Sequence, residues 1–239
     1  MSKFKHLLFT LFFALSIPAQ AEVLWDNWYV ISEHGIPSSY YNEKAEIAGD
    51  KAKIQVNTWI KDGKRIKSEN LGASAKNTNL LEPLLFNFRA QGLAGEEKII
   101  DGTVLNNGKV FSVKAKEGIA PSKSLRAEMM PKIILTSFFP LWINKNYKRI
   151  TGVQPIEFTA ILEDKIKDEI PVVVGTAYEM REDEFAKKTK TRKLRIEFGK
   201  VVAFWWVTKK GDALQIEVPS AGQTVKKVDR TAAEHSLTP

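Results

Sequence analysis

The chain has 239 residues, a formal net charge of +8 and no cysteine. Disulfides, Fe–S clusters, Cys-ligated zinc and thiol catalysis are therefore excluded, and a folded body must be held by packing and backbone hydrogen bonding alone. Only His34 and His235 stand beyond the first 21 residues, too few for the usual three or four zinc ligands, so neither a metal nor a cofactor is expected.

Residues 1–21 read as a secretory signal that is cleaved. Lys3 and Lys5 form a basic start, residues 7–17 are almost wholly apolar, and Ala19-Gln20-Ala21 places small residues where signal peptidase acts. A bilayer-spanning helix needs about 20 apolar residues, so this run is too short to be an anchor. Glu22, not cysteine, follows the expected cut, which leaves no lipid-bearing residue there. The expected address is the periplasm, or the exterior, with no transmembrane segment in the mature chain. Loss of Lys3 and Lys5 lowers the net charge to +6, a mild excess that favours anionic lipid or glycan surfaces without selecting among them.

From residue 22 onward the pattern is short alternating runs separated by turn residues, the signature of half-buried antiparallel strands. Ile54, Val56 and Ile60 alternate with polar neighbours, as do Leu84, Phe86 and Phe88, then Leu194, Ile196 and Phe198, then Leu214, Ile216 and Val218. Gly49-Asp50, Asp62-Gly63, Asn107-Gly108 and Lys210-Gly211-Asp212 supply the positive φ of tight turns. The predicted strands are 25–33, 39–48, 51–60, 64–71, 83–91, 97–105, 108–116, 155–163, 170–181, 191–198, 201–208 and 212–219, joined mostly in sequence.

Residues 126–148 have a different texture. Pro131 suits a first helical turn and residues 132–139 form a compact apolar helix, which Pro140 is expected to stop or kink. An apolar elbow, Leu141-Trp142-Ile143, follows. Without repeats or linkers, residues 22–228 are expected to form a single β-rich domain and 229–239 a flexible tail.

Phe204-Trp205-Trp206 is apolar on both strand faces, so something must cover the second face, and the segment 133–143 is the obvious lid. If lid and sheet pack tightly, Phe138, Phe139, Trp142, Phe204, Trp205 and Trp206 are core. If they pack loosely, the same six line a hydrophobic ligand cavity. The densest charge run, 187–193 extended by Arg195, reads as a solvated hairpin, with Lys187, Lys188, Lys190 and Arg192 as candidate contacts for an anionic surface. With Phe185 the only aromatic close by, nucleic acid is not an expected partner.

Motifs for catalysis are missing. There is no G-x-G loop, no G-x-S-x-G and no mature S-x-x-K. His34 precedes Gly35 in an expected turn, a poor member for a catalytic triad. Glu163-Asp164 and Glu182-Asp183-Glu184 are the visible acidic clusters; they read as solvated turn residues, with a carboxylate-based glycan hydrolase as the minor alternative.

The segment Trp205-Trp206-Val207-Thr208-Lys209-Lys210-Gly211-Asp212-Ala213-Leu214, an aromatic strand turning through glycine into an amphipathic one, is similar to the closing hairpin of the half-open barrels in the periplasmic lipoprotein-carrier superfamily and related exported families. The resemblance implies a mainly β fold: one strongly curved antiparallel meander of about a dozen strands, with a short apolar helix covering the concave face. It also implies a non-catalytic role in binding or carrying a lipid, acyl chain or lipoprotein. The alternative is a structural or interaction protein of the envelope that holds a partner through the basic hairpin or a strand edge.

Overall fold

The computed structural model describes residues 21–92, 95–152 and 154–238, so the expected signal lies outside the described residues except for Ala21. Alternation becomes strands at β1 (Glu22–Glu33), β2 (Ile36–Ala48), β3 (Lys51–Asp62), β4 (Arg65–Lys76), β5 (Pro83–Gln91), β6 (Glu97–Leu105) and β7 (Val110–Glu117). A short β8 (Lys123–Glu128) and β9 (Ile133–Leu135) follow. After helix α1 (Phe139–Ile150) come β10 (Ile156–Ile161), β11 (Val172–Glu179), α2 (Glu184–Thr189), β12 (Arg192–Phe198), β13 (Val201–Val207), β14 (Ala213–Val218), β15 (Gln223–Val228) and α3 (Arg230–His235).

All fifteen strands belong to one sheet, ordered β8-β7-β6-β5-β4-β3-β2-β1-β15-β14-β13-β12-β11-β10-β9. It is two meanders rather than one, fused where β1 pairs antiparallel with β15, Tyr29 opposite Lys227 and Ile31 opposite Val225. Among the described residues the only parallel pair is β9 with β10. The hairpin Trp205 to Leu214, expected to close the sheet, lies inside it, because β14 pairs onward with β15.

The two ends of this strand order, β8 and β9, are separated by only residues 129–132. Five backbone steps reach at most about 18 Å, so the sheet must curl until its edges meet. The ring stays open, since β8 and β9 do not pair. At the opposite end of this seam, the loop after β10 is tied to the first meander. Lys98 Nζ donates to the Asp164 carbonyl at 2.6 Å, Lys167 pairs with Glu117 at 3.2 Å, and Lys123 pairs with Asp168.

The helix forms after Pro140, not before it. The segment 133–135 is strand β9, 136–138 is a 3-10 turn, and Pro140 sits in the first turn of α1. The rule that makes proline harmless at a helix start, applied in sequence to Pro131, applies here to Pro140. The expected apolar elbow is therefore helix. Phe139, Leu141, Trp142 and Ile143 are at most 5% exposed, so the first turn is surrounded on all sides inside the curl. Close approach is permitted by glycine: a Cβ on Gly211, in the β13–β14 turn at φ +84°, would lie 2.3 Å from the Asn144 Cα. Gly102 likewise leaves room for the Phe86 ring, 1.9 Å from where its Cβ would stand.

Residues 229–238 are not a loose tail. Asp229 caps α3, its carboxylate accepting from the Ala232 N–H at 2.8 Å, and Ala233 and Leu237 bury against the outer face of β1, β2 and β3. There Trp28 stacks on Trp59 at 5.8 Å, and the Arg230 guanidinium lies 5.1 Å above the Trp28 ring. Deleting residues 230–239 is expected to cost about 2 kcal/mol, the worth of roughly one large buried side chain, and to shift tryptophan emission to the red. Unchanged melting and emission would show that α3 contributes nothing.

Candidate functional site

The six aromatics expected to line a cavity fall on two faces of the sheet. Phe138, Phe139, Trp142 and Trp205 are interior and at most 9% exposed. Phe139 meets Trp142 at 5.5 Å, Phe158 at 4.8 Å, Phe198 at 4.9 Å and Trp205 edge-on at 5.4 Å, a continuous aromatic core. Phe204 and Trp206 point outward. Trp206 is covered by α2: Phe185 packs edge-on at 5.7 Å and Asp183 accepts its Nε1–H at 3.1 Å, while the Lys193 ammonium lies 4.7 Å from its ring and 5.0 Å from that of Phe204. The second apolar face of β13 is thus met by α2, and the lid covers only the first.

The basic run is a helix and its exit rather than a hairpin tip. Asp183 caps α2 through the Ala186 N–H at 2.8 Å. Burial works against its charge, yet hydrogen bonds from Ala186, Lys193 and Trp206 hold its carboxyl at about 2. Lys187 pairs with Glu184, and Arg192 with Glu179 and Glu182; Lys188 and Lys190 are exposed. Much of the expected anionic-surface contact is therefore neutralised within the chain.

The acidic clusters are also occupied. Glu163, read as a solvated turn residue, is 1% exposed and bonds the 3-10 turn 136–138 that leads into α1, the plug helix. It accepts from the Thr136 N–H at 2.9 Å, the Ser137 N–H at 3.1 Å, the Ser137 hydroxyl at 2.6 Å and the Thr136 hydroxyl. Burial raises its pKa against the pull of these bonds. A second inward carboxyl was not singled out from sequence. Glu43 faces the interior opposite Asn27 and accepts from Trp25 Nε1 at 2.8 Å. Burial lifts it to about 7, opposed by the Trp25 hydrogen bond and Lys227 and reinforced by Asp212. Its parity with Tyr41 and Ala45 in β2 was the available signal.

The largest opening described lies elsewhere, at the rim where the turn after β4, the β6–β7 turn and the β8–β9 link converge. It is a cleft of about 1020 Å³. Leu80, Leu84, Val104, Met129 and Met130 give it apolar walls, with Leu80 37% and Met130 44% exposed. Lys76 and Lys132 stand at its edge with Glu82 as the single carboxylate. Methionine side chains adapt to irregular apolar shapes, which suits a flexible guest.

Backbone strain gathers around this cleft. Of the six non-glycine residues at positive φ among the described residues, Asn106, Asn107 and Lys132 line it and Leu81 lies between two lining residues. Asparagine tolerates this region, but leucine at +50° and lysine at +62° do so at a cost that surrounding structure must offset. Leu81 is held there by complete burial, in a turn that the plug helix bonds at Asn79 and Asn77 through Asn146 and Lys145.

These features define an open, barrel-like β-sheet with an internal plug helix and an amphipathic rim cleft. Among solved structures, the chain is similar to a β-barrel-like protein of domain of unknown function DUF1849 from Brucella abortus, at 10% identity and a TM-score of 0.50 over 84% of this chain and 93% of that one. It also aligns with a DUF1089 family protein from Pseudomonas aeruginosa, at 13% identity and a TM-score of 0.42 over 77% and 90%. The first likeness is one of fold. No family model and no curated protein matches the chain.

Proposed function

We propose that this is an exported, non-catalytic protein that binds or carries an amphiphile of the cell envelope, holding the apolar part in the rim cleft. The observation that carries the reading is the cleft itself: about 1020 Å³, apolar walls, two methionines, two lysines at the edge and strained backbone on its border. Ligand sites are typically concave and apolar with a few placed polar groups. The lysines would receive an anionic head while the tail lies along Leu84 and Val104. Export by residues 1–21 and kinship with the half-open barrels of lipoprotein carriers belong to the same proposal, and the carrier role follows from them by analogy.

Uptake of a fluorescent fatty acid tests it. The protein is expected to saturate with the probe, and Leu80→Asp with Met130→Asp should weaken uptake about tenfold or more, since both side chains are partly exposed and their change spares the core. Lys76→Glu with Lys132→Glu should weaken the fatty acid more than an uncharged fluorescent ester. Failure of the native protein to take up either probe, or equal uptake by the aspartate variant, would sink the reading.

A further inference from the structure

The seam between the sheet's two edges has a second opening, at the end remote from the rim cleft. There the first turn after β7, the start of β8 and the loop after β10 enclose a pocket of about 370 Å³. Its floor is apolar: Ile100 and Ile166 are fully buried and Ala115 is 9% exposed. Beside that floor stand three lysines, Lys98, Lys123 and Lys167, and one carboxylate, Glu117, while Lys116 alternates with Ala115 and turns its side chain to the outer face.

Three of the lysines are engaged across the seam, and weakly so. The pairs Lys123 with Asp168 and Lys167 with Glu117 join side chains that are 57–66% exposed, the setting in which ion pairs contribute least. Lys98 donates to a carbonyl, not to a charge. Ammonium groups that already hold carboxylate oxygens beside an apolar floor are arranged for a guest with the same head and an apolar tail.

We propose that the seam pocket is a distinct binding site for a small amphiphilic anion, a carboxylate or phosphate monoester on a single medium-length chain. The tail lies on Ile100, Ala115 and Ile166; the head takes Lys123 and Lys167 and displaces Asp168 and Glu117 from them. The site does not depend on the rim cleft. Its occupation would exchange contacts that tie the loop after β10 to the first meander for contacts to the ligand.

Calorimetric titration of the protein with octanoate, octyl phosphate and uncharged octanol decides it. One or both anions should bind at least about tenfold more tightly than octanol, the stronger identifying the head group. Lys123→Gln with Lys167→Gln should remove that preference, and Lys76→Gln with Lys132→Gln should leave it intact. Ala120→Trp, which fills the pocket from an exposed turn without touching a charge, should reduce binding of every probe to the same degree. Equal binding of octanol and the anions, unchanged affinity in the Lys123 and Lys167 variant or in Ala120→Trp, or loss only in the Lys76 and Lys132 variant would overturn the proposal. The last result would assign the anion to the rim cleft instead.

Discussion

Replacing Glu43 by glutamine is expected to make the protein about 3 kcal/mol more stable than the native sequence above pH 8, with little difference near pH 4.5. The carboxyl titrates at about 7 in the folded chain against 4.5 for an ordinary glutamate. An acid whose folded pKa is raised contributes stability that is complete below its unfolded pKa and is lost as pH rises through the folded value. The window is therefore pH 4.5 to 7, the span of the shift. Burial is the main cause, since Glu43 is 6% exposed, and the groups that face it are the Trp25 indole, Lys227, Asp212 and the buried phenols of Tyr29 and Tyr41. Asp212 and Asp183 have lowered pKa values and act at the acid end, outside this window, and both phenols titrate above it. Denaturant unfolding of both proteins across pH checks the expectation. Parallel curves would show that Glu43 is solvated or matched by a charge.

Phe139→Ala is expected to cost about 3–5 kcal/mol, the range for deleting a large aromatic from a packed core. The ring touches Trp142, Phe158, Phe198 and Trp205, so its removal empties the point where the plug helix meets β10, β12 and β13. The neighbours sit on separate strands and on the helix, which limits collapse into the space. Thermal and denaturant unfolding measure the loss. A change below about 1 kcal/mol would mean that the interior is loose enough to act as the cavity that the sequence allowed as one outcome.

Much of the architecture was legible because alternation is a local property. All twelve predicted strands are present, with ends displaced by a few residues, and the mainly β, single-sheet form follows from them. Three strands were missed for separate reasons. In β8, Lys-Ser-Leu-Arg-Ala-Glu has only Leu125 and Ala127 inward, on an edge strand with few buried positions. In β15, Gln-Thr-Val-Lys-Lys-Val shows little apolar alternation because Lys227 faces inward to pair with Asp212 at 2.8 Å. In β9, three buried apolar residues are too few to separate strand from helix. The loss of β15 mattered most, since its pairing with β1 turns two meanders into one sheet.

The site was less legible than the fold. Aromatic residues dominated the sequence signal, and they proved to be the core on one face and the α2 contact on the other. The rim cleft is built from Leu80, Val104, Met129 and Lys132, residues from two connecting turns and the end of β6 that carry no common spacing. Its strain is equally invisible in sequence, because positive φ at Leu81 and Lys132 contradicts their own preferences and is imposed by packing.

By itself, the sequence determined that the protein is β-rich and free of cysteine, because composition, period-two alternation and turn residues act over a few neighbours. Only the tertiary structure decided where the helix begins, which face of β13 each tryptophan takes, and that the ends of the strand order curl together around a plug. Those outcomes depend on contacts between residues far apart in the chain, such as Tyr29 with Lys227 or Glu163 with Thr136, and no local pattern carries them. The openings at the two ends of the seam are consequences of the curl, and the curl is a property of the whole sheet.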